Sequence, residues 1–266
     1  MANIEGVRDR RAVRLGLEFL AGLDKIDPRL TASMLGKYFL VPQRPDSLEG
    51  VFETLVMCAQ NTQMKPNVIG PIKRLGVVLF GFSPSGTAGH YQTGDELFEA
   101  VKREVKPGGK VREVPNAIWP QFCRTIVAAA KFMSRFATAR EFYDWVELFD
   151  CDGRCRAAVA IVLHNNIPGL GFALACNFLK DIGFENYGKP DVQIIKIFTS
   201  LGLSRSEDTY EVLMDIFRVA KHTGKTAYYV DKLFWLIGSG NFHLDGFRRP
   251  HQRDEFILFA KQRLDS

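Results

Sequence analysis

The feature that most constrains this chain is the run Asn165-Asn166-Ile167-Pro168-Gly169-Leu170-Gly171. Upstream of it, residues 154–163 have helix-forming composition. Downstream, residues 172–182 place Leu174, Phe178 and Ile182 on one face at four-residue steps, and Gly183 is a natural C-terminal stop. The pattern predicts a helix, a tight hairpin and a second helix over about 154–183. Pro168 fixes one φ, and Gly169 and Gly171 allow conformations and close approaches that a Cβ would block. The hairpin therefore presents bare amides at the start of the second helix, an end that attracts phosphate.

Two other readings fit the hairpin alone. A Gly-x-Gly before a helix also occurs in dinucleotide-binding folds, but here Leu174 fills the third small position, Pro168 precedes the first glycine, and strand-helix alternation is missing. An oxidoreductase of that kind would need a parallel sheet. The second alternative is a ligand-free turn between helices.

The remaining pattern is helical. Val13, Leu17 and Leu20 recur at helical spacing within residues 7–40, and Pro42, Pro45 and Asp46 mark a break. Asp46-Ser47-Leu48-Glu49 offers an N-cap with a glutamate three residues on, and a helix with Val51, Phe52, Leu55, Val56 and Ala59 on its apolar face then leads into Gln60-Asn61-Thr62-Gln63. Glycines and prolines interrupt residues 81–118, leaving one expected helix near 95–105. Helical periodicity resumes with Phe122, Ile126, Ala129 and Phe132, then with Phe142, Trp145, Val146 and Phe149, and continues over 192–201, 209–220 and 227–237 to a turn at 238–241. The fold class expected is all-α.

With 266 residues, 46% hydrophobic and 24% charged, the chain can bury a sizeable core in one or two domains. No apolar run is long enough to span a bilayer, and the charged N-terminus lacks a secretory apolar segment, so a cytoplasmic chain is expected. Its net charge of +5 mildly favours a polyanion. The five cysteines are odd in number and scattered, as in a reducing compartment, and Cys151 and Cys155 with His164 make a poor metal site because ligands are missing.

Beyond these patterns, Ile167-Pro168-Gly169-Leu170-Gly171 and Lys189-Pro190-Asp191-Val192 together resemble the helix-hairpin-helix DNA glycosylase superfamily, which includes endonuclease III and the adenine, alkylpurine and 8-oxoguanine glycosylases. The first segment matches the family's Leu-Pro-Gly-Val-Gly hairpin. The second matches its Gly/Pro-Val-Asp element, whose aspartate is catalytic. The likeness is specific over about 150–200 and suggestive over 46–64. It implies a central helical domain over 46–185, a second domain built from 1–45 plus 186–266, and a cleft between them for the substrate base. The implied partner is double-stranded DNA carrying a damaged or modified base, bound by a monomer associated with the nucleoid.

The resemblance also assigns residues. Asp191 becomes the catalytic carboxylate. The Schiff-base lysine of bifunctional members falls at Ala173, eighteen residues before Asp191, so cleavage should stop at hydrolysis of the glycosidic bond. The amides near Gly169, Gly171 and Ala173 would grip DNA phosphate, and carbonyls of Asn165, Ile167 and Leu170 would hold a structural Na+ or K+. Gln60 matches the glutamine that enters the duplex in place of the expelled base, although an ordinary polar helix end reads the same way. Val56 stands where adenine glycosylases carry a glutamate. The iron-sulfur cluster of some relatives is ruled out because no cysteine follows Cys176. No other cofactor is required.

Asp191 alone reads as an N-cap, a role compatible with catalysis, and a carboxylate at a helix N-terminus is expected to be held as an anion. Lys189 is either a phosphate-contacting or solvated side chain, or the amine of a lyase step; Lys180, two turns after Ala173, is about 10 Å too far along the helix. A non-catalytic DNA-binding protein and a bifunctional glycosylase using another lysine are the alternatives. The base is not specified by the sequence. A weakened glycosidic bond, as in alkylated bases, suits a site with one carboxylate, and Trp119, Trp145 and Tyr187 are pocket or core residues.

Overall fold

A computed structural model describes residues 2–25, 27, 30–60, 71–108 and 111–264. Among these residues the helices are α1 (Ala2–Ala21), α2 (Ala32–Lys37), α3 (Leu48–Ala59), α4 (Pro84–His90), α5 (Gly94–Ala100) and α6 (Ile118–Met133). They continue with α7 (Ala139–Glu147), α8 (Gly153–Asn166), α9 (Phe172–Asp181), α10 (Val192–Ser200), α11 (Thr209–Thr223), α12 (Ala227–Ser239) and α13 (Gln252–Leu264). The strands among the described residues are β1 (Asn241–Phe242) and β2 (Phe247–Arg248), an antiparallel pair with Asn241 opposite Arg248. The all-α class is observed. No parallel sheet, which a dinucleotide-binding oxidoreductase would need, occurs among the described residues. No helix among them is long and apolar enough to cross a membrane.

The chain divides into two compact units, Met1–Pro42 with Gly183–Ser266, and Gln43–Ile182. In the first, α1 packs on α11, α12 and α13, and α10 lies against α12. The core is continuous through Leu15, Leu20, Ile197, Phe198, Phe234 and Phe256. Phe198 and Phe234 meet edge to face at 5.4 Å between ring centroids, a geometry favoured by the aromatic quadrupole.

In the second unit, α6 is enclosed by α3, α4, α5 and α8. Its eleven buried residues, from Trp119 to Met133, show why the hydrophobic pattern there extends around most of the helix. Phe142 and Phe178 join α7 to α9 across 5.9 Å, both fully buried.

Several local expectations are corrected. The N-cap of α3 is Ser47, whose hydroxyl accepts from the Gly50 amide at 3.1 Å, one residue after Asp46. Residues 81–118 hold two helices rather than one. Ser83 caps α4 with Pro84 in its first turn, a start signal that resembles a turn because Gly86 and Gly89 follow. Thr93 and Glu96 form a full capping box at α5, which runs into a π-helical turn at Val101–Val105. The helical pattern also does not end at 241. The chain turns through β1 and β2 and adds α13, whose Phe256, Ala260 and Leu264 are buried at four-residue steps.

Candidate active site and hairpin

Asp191 forms its site locally. Pro190 precedes it, its backbone is extended (φ −91, ψ 176), and Oδ1 accepts from the amides of Gln193 at 2.9 Å and Ile194 at 3.2 Å, opening α10. Both amides bond the same oxygen, so Oδ2 faces other partners. The ammonium of Lys189 lies 3.9 Å from it. The Asp191 side chain is 14% exposed.

Burial pushes the Asp191 carboxyl above the ordinary carboxylate range, Lys189 pulls it down, Asp231 pushes it up, and the Ile194 and Gln193 amides pull it down. The direction differs from that of a simple N-cap. Cap amides and helix dipole do favour the anion, but desolvation outweighs them.

The segment leading to Asp191 is pinned from α12. Asp231 is fully buried and its Oδ1 accepts the Lys189 amide at 2.9 Å. A Cβ on Gly188 would lie 3.0 Å from Ile216 and 3.2 Å from the Asp231 Cβ, so glycine permits the close approach. Asp231 drew no notice in sequence because it falls inside an apolar helical run, 40 residues after Asp191. The available signal was the Asp231-Lys232 pair of charges inside that apolar run.

The hairpin occupies the second unit. Leu163 O accepts the Ile167 amide at 3.0 Å, ending α8, and Ile167 O accepts the Leu170 amide at 2.9 Å, closing the turn. Gly169 has φ +90, and a Cβ there would lie 2.1 Å from Thr125 Oγ1. Gly171 differs: its φ is −63, nothing lies within 4 Å of a Cβ position, and the first turn of α9 has no side-chain cap. Neither backbone nor packing requires glycine at 171. Ala173 is half-buried in that first turn.

The three carbonyls proposed for a cation are partly engaged. Ile167 O accepts the Leu170 amide, and Leu170 O accepts from His164 Nδ1 at 2.8 Å. Asn165 is exposed at the end of α8. An ion here would share two of its three ligands with hydrogen bonds already made, so the set fits it poorly.

Gln60 is the half-buried C-cap of α3, and Asn61, Thr62 and Gln63 lie outside the described residues. Val56 is fully buried. Two residues before Gln60, Cys58 joins a polar cluster that the pattern did not reveal: Asn177 Nδ2 donates to Asp181 Oδ2 at 2.7 Å and to Cys58 Sγ at 3.3 Å, and Lys180 Nζ is 4.0 Å from Asp181 Oδ1. Lys180 is 4% exposed, which places it inside the second unit. Trp119 and Tyr187 are buried, whereas Trp145 packs on Phe132, Phe136 and Phe142.

Cys151 and Cys155 form a disulfide with a Cα separation of 6.2 Å, a pairing not expected from the reading of scattered cysteines in a reducing compartment. The four-residue spacing places both at the turn that starts α8, which brings the sulfurs together. Bonded to each other, they are not thiolate ligands.

Comparison with protein-family models, with curated proteins and with solved structures finds no match to this chain.

Proposed function

We propose that the chain is a DNA glycosylase that hydrolyses the N-glycosidic bond of a damaged or modified base and leaves the abasic strand uncut. The observation that carries this reading is the Asp191 carboxylate, largely buried, held through Oδ1 by two amides and presenting Oδ2.

The chemistry follows from that placement. As the bond from C1′ to the base nitrogen breaks, the electron pair leaves with the base, and positive charge develops on the deoxyribose. A partly desolvated carboxylate stabilises that charge more strongly than one in water. Water then adds at C1′ and loses its proton to Oδ2, giving the hydroxyl of the abasic sugar. Burial makes this oxygen a stronger base than an exposed aspartate. The target nucleotide must leave the stack for C1′ to reach the carboxylate.

Ala173 supplies no amine, which supports hydrolysis over a Schiff-base route. Gly171 supports phosphate binding at the hairpin: the uncapped start of α9 offers amides, and the absence of a Cβ keeps the approach open. Contacts of this kind position a duplex without reading its sequence. In this reading Gln60 fills the space left by the expelled base, and Lys189 balances Asp191.

The test is incubation with labelled duplexes each bearing one lesion, from 7-methylguanine and 3-methyladenine to hypoxanthine, uracil and 8-oxoguanine, analysed with and without hot alkali beside Asp191→Asn. Alkali-dependent cleavage of at least one duplex, lost in the variant, is the expected result. Alkylated purines are the first choice of substrate. DNA binding without cleavage of any duplex would favour a non-catalytic binding protein.

A further inference from the structure

We propose that the cavity where α10, the end of α12 and the start of α13 meet is a phosphate site, and that the phosphate it takes belongs to the backbone of the duplex on which Asp191 acts. The assignment to DNA rests on the glycosylase reading; the binding of an anion can be read in the free protein.

Arg248-Arg249-Pro250-His251-Gln252-Arg253 puts three arginines and a histidine into six residues between β2 and the first turn of α13. The fold gathers them around one cavity of about 230 Å³, with Gln193 of α10 and Asp254 also in its wall. That volume lies below the roughly 300–1,000 Å³ of a pocket for a drug-sized molecule, so it suits one small group. Three guanidinium charges stand there against one carboxylate. Asp254 is 65% exposed and lies 3.3 Å from Arg253 Nε, and an exposed pair of that kind neutralises little.

The arginines keep donors that the fold does not use. Arg248 is exposed, and its side chain makes no hydrogen bond or ion pair among the described residues. Arg253 donates from Nη1 to Gln193 Oε1 at 3.1 Å, and its Nη2 has no hydrogen-bond partner among the described residues. Arg249 is fixed: Nη2 meets Glu255 Oε2 at 2.5 Å, the backbone amide donates to Gly240 O at 2.7 Å, and Nη1 is buried with no hydrogen-bond partner. A guanidinium held with a buried donor unsatisfied costs stability that an anion beside it offsets, and the planar fork of arginine matches phosphate oxygens. Gln252, 1% exposed, donates from Nε2 to Leu236 O at 3.0 Å and Ile237 O at 3.3 Å, so these carbonyls at the end of α12 are already engaged. Its Oε1 has no partner and, as an acceptor, takes no part in holding an anion. Gln193 joins the cavity to the chemistry: Asp191 Oδ1 accepts its amide at 2.9 Å, and its side chain accepts from Arg253. A phosphate among these arginines is therefore anchored at the same first turn of α10 that carries the carboxylate, a contact that positions the duplex without reading its sequence.

Two measurements test this. Fluorescence anisotropy follows an undamaged labelled duplex over a range of salt with wild type, Arg248→Gln, Arg253→Gln and Lys261→Gln, the last removing an exposed charge at the far end of α13. Arg248→Gln has no partner to lose and should melt with wild type, yet bind duplex several-fold more weakly, with the slope of log Kd against log salt reduced by about one. Arg253→Gln should behave alike, and Lys261→Gln should keep the wild-type affinity and slope. In the free protein, arginine side-chain NMR during titration with inorganic phosphate, against chloride at constant ionic strength, should show the Arg249 and Arg253 Nε–H signals shifting saturably in wild type and more weakly in Arg248→Gln. Signals that respond to phosphate no more than to chloride overturn the site. Unchanged duplex affinity and slope in Arg248→Gln overturn the assignment to DNA even where inorganic phosphate binds, the source then being a free phosphorylated ligand, and this variant alone decides should Arg253→Gln not fold. An equal loss in Lys261→Gln overturns it as well, since general charge would explain the effect. A lowered slope in the arginine variants of a protein that excises no base supports the phosphate site and sinks the glycosylase reading instead.

Discussion

The Lys189 ammonium and the Asp191 carboxylate lie 3.9 Å apart on either side of Pro190, 20% and 14% exposed. The pair only partly offsets the burial of the aspartate, since the carboxyl remains above its ordinary range. The folded state therefore holds the Asp191 proton more tightly than the unfolded chain does. Its contribution to stability is present at low pH and is lost as pH rises from the ordinary carboxylate value through the raised one.

Asp191→Asn tests that sign. Asparagine caps a helix about as well as aspartate, so the Gln193 and Ile194 amides keep a partner. The variant removes a charge whose burial costs more than Lys189 returns. At pH 7 its Tm should equal or exceed that of wild type by a few degrees, about 2–4 °C per kcal/mol for a chain of this size. Excision should fall by on the order of 10²-fold or more. A variant that is both inactive and clearly less stable would mean that Asp191 holds the fold rather than serving the reaction.

Lys189→Met addresses the lysine. Removing the ammonium takes away the largest influence lowering the Asp191 carboxyl, so the acid limb of the excision profile should shift to higher pH. Borohydride added during turnover of wild type should trap no covalent protein–DNA adduct, because the geometry gives Lys189 the role of counter-ion. An adduct lost in Lys189→Met would establish a lyase step at this residue.

The two hairpin glycines should respond differently to alanine. At Gly169, the positive φ and the clash with Thr125 Oγ1, whose hydroxyl is committed to Gln121 O at 3.1 Å, should cost about 1–3 kcal/mol of stability. Gly171→Ala should fold normally and melt within about 1 °C of wild type, since φ is ordinary and the space is open. If DNA phosphate approaches there, its affinity for duplex should fall several-fold. Fluorescence anisotropy beside thermal melts separates the two effects, and wild-type affinity should drop steeply as salt rises.

What could be read from the sequence depended on how local its cause was. The helix, hairpin and helix around Gly169 and the cap at Asp191 are set by residues within four positions of one another, and pattern alone locates them. Asp231 contributes through packing of α12 against a segment 42 residues earlier, and a charge inside an apolar run does not say which segment it meets. The upward shift of Asp191 was missed for the same reason: the cap is visible in sequence, whereas the desolvation that outweighs it comes from the fold. At α13, the signal was present at Phe256, Ala260 and Leu264 but diluted by charged neighbours. The pairing of Cys151 with Cys155 required the turn before α8 to be known.

The last prediction concerns the hairpin carbonyls. Leu170 O accepts from His164 Nδ1 at 2.8 Å and Ile167 O closes the turn by accepting the Leu170 amide at 2.9 Å. The imidazole donor occupies part of the place a cation would take, so duplex affinity should not depend on which monovalent ion is present. Replacing K+ by Li+ at constant ionic strength should change the Kd of wild type for an undamaged duplex by less than about twofold, a difference under ~0.5 kcal/mol. His164→Ala frees the Leu170 carbonyl and should create a difference between the two salts, with K+ binding the tighter because a larger, more weakly hydrated ion sheds water more readily to bare carbonyls. Equal affinities in both salts for the variant would show that no cation joins the hairpin. A strong preference for K+ already in wild type would show that an ion shares the carbonyls despite His164.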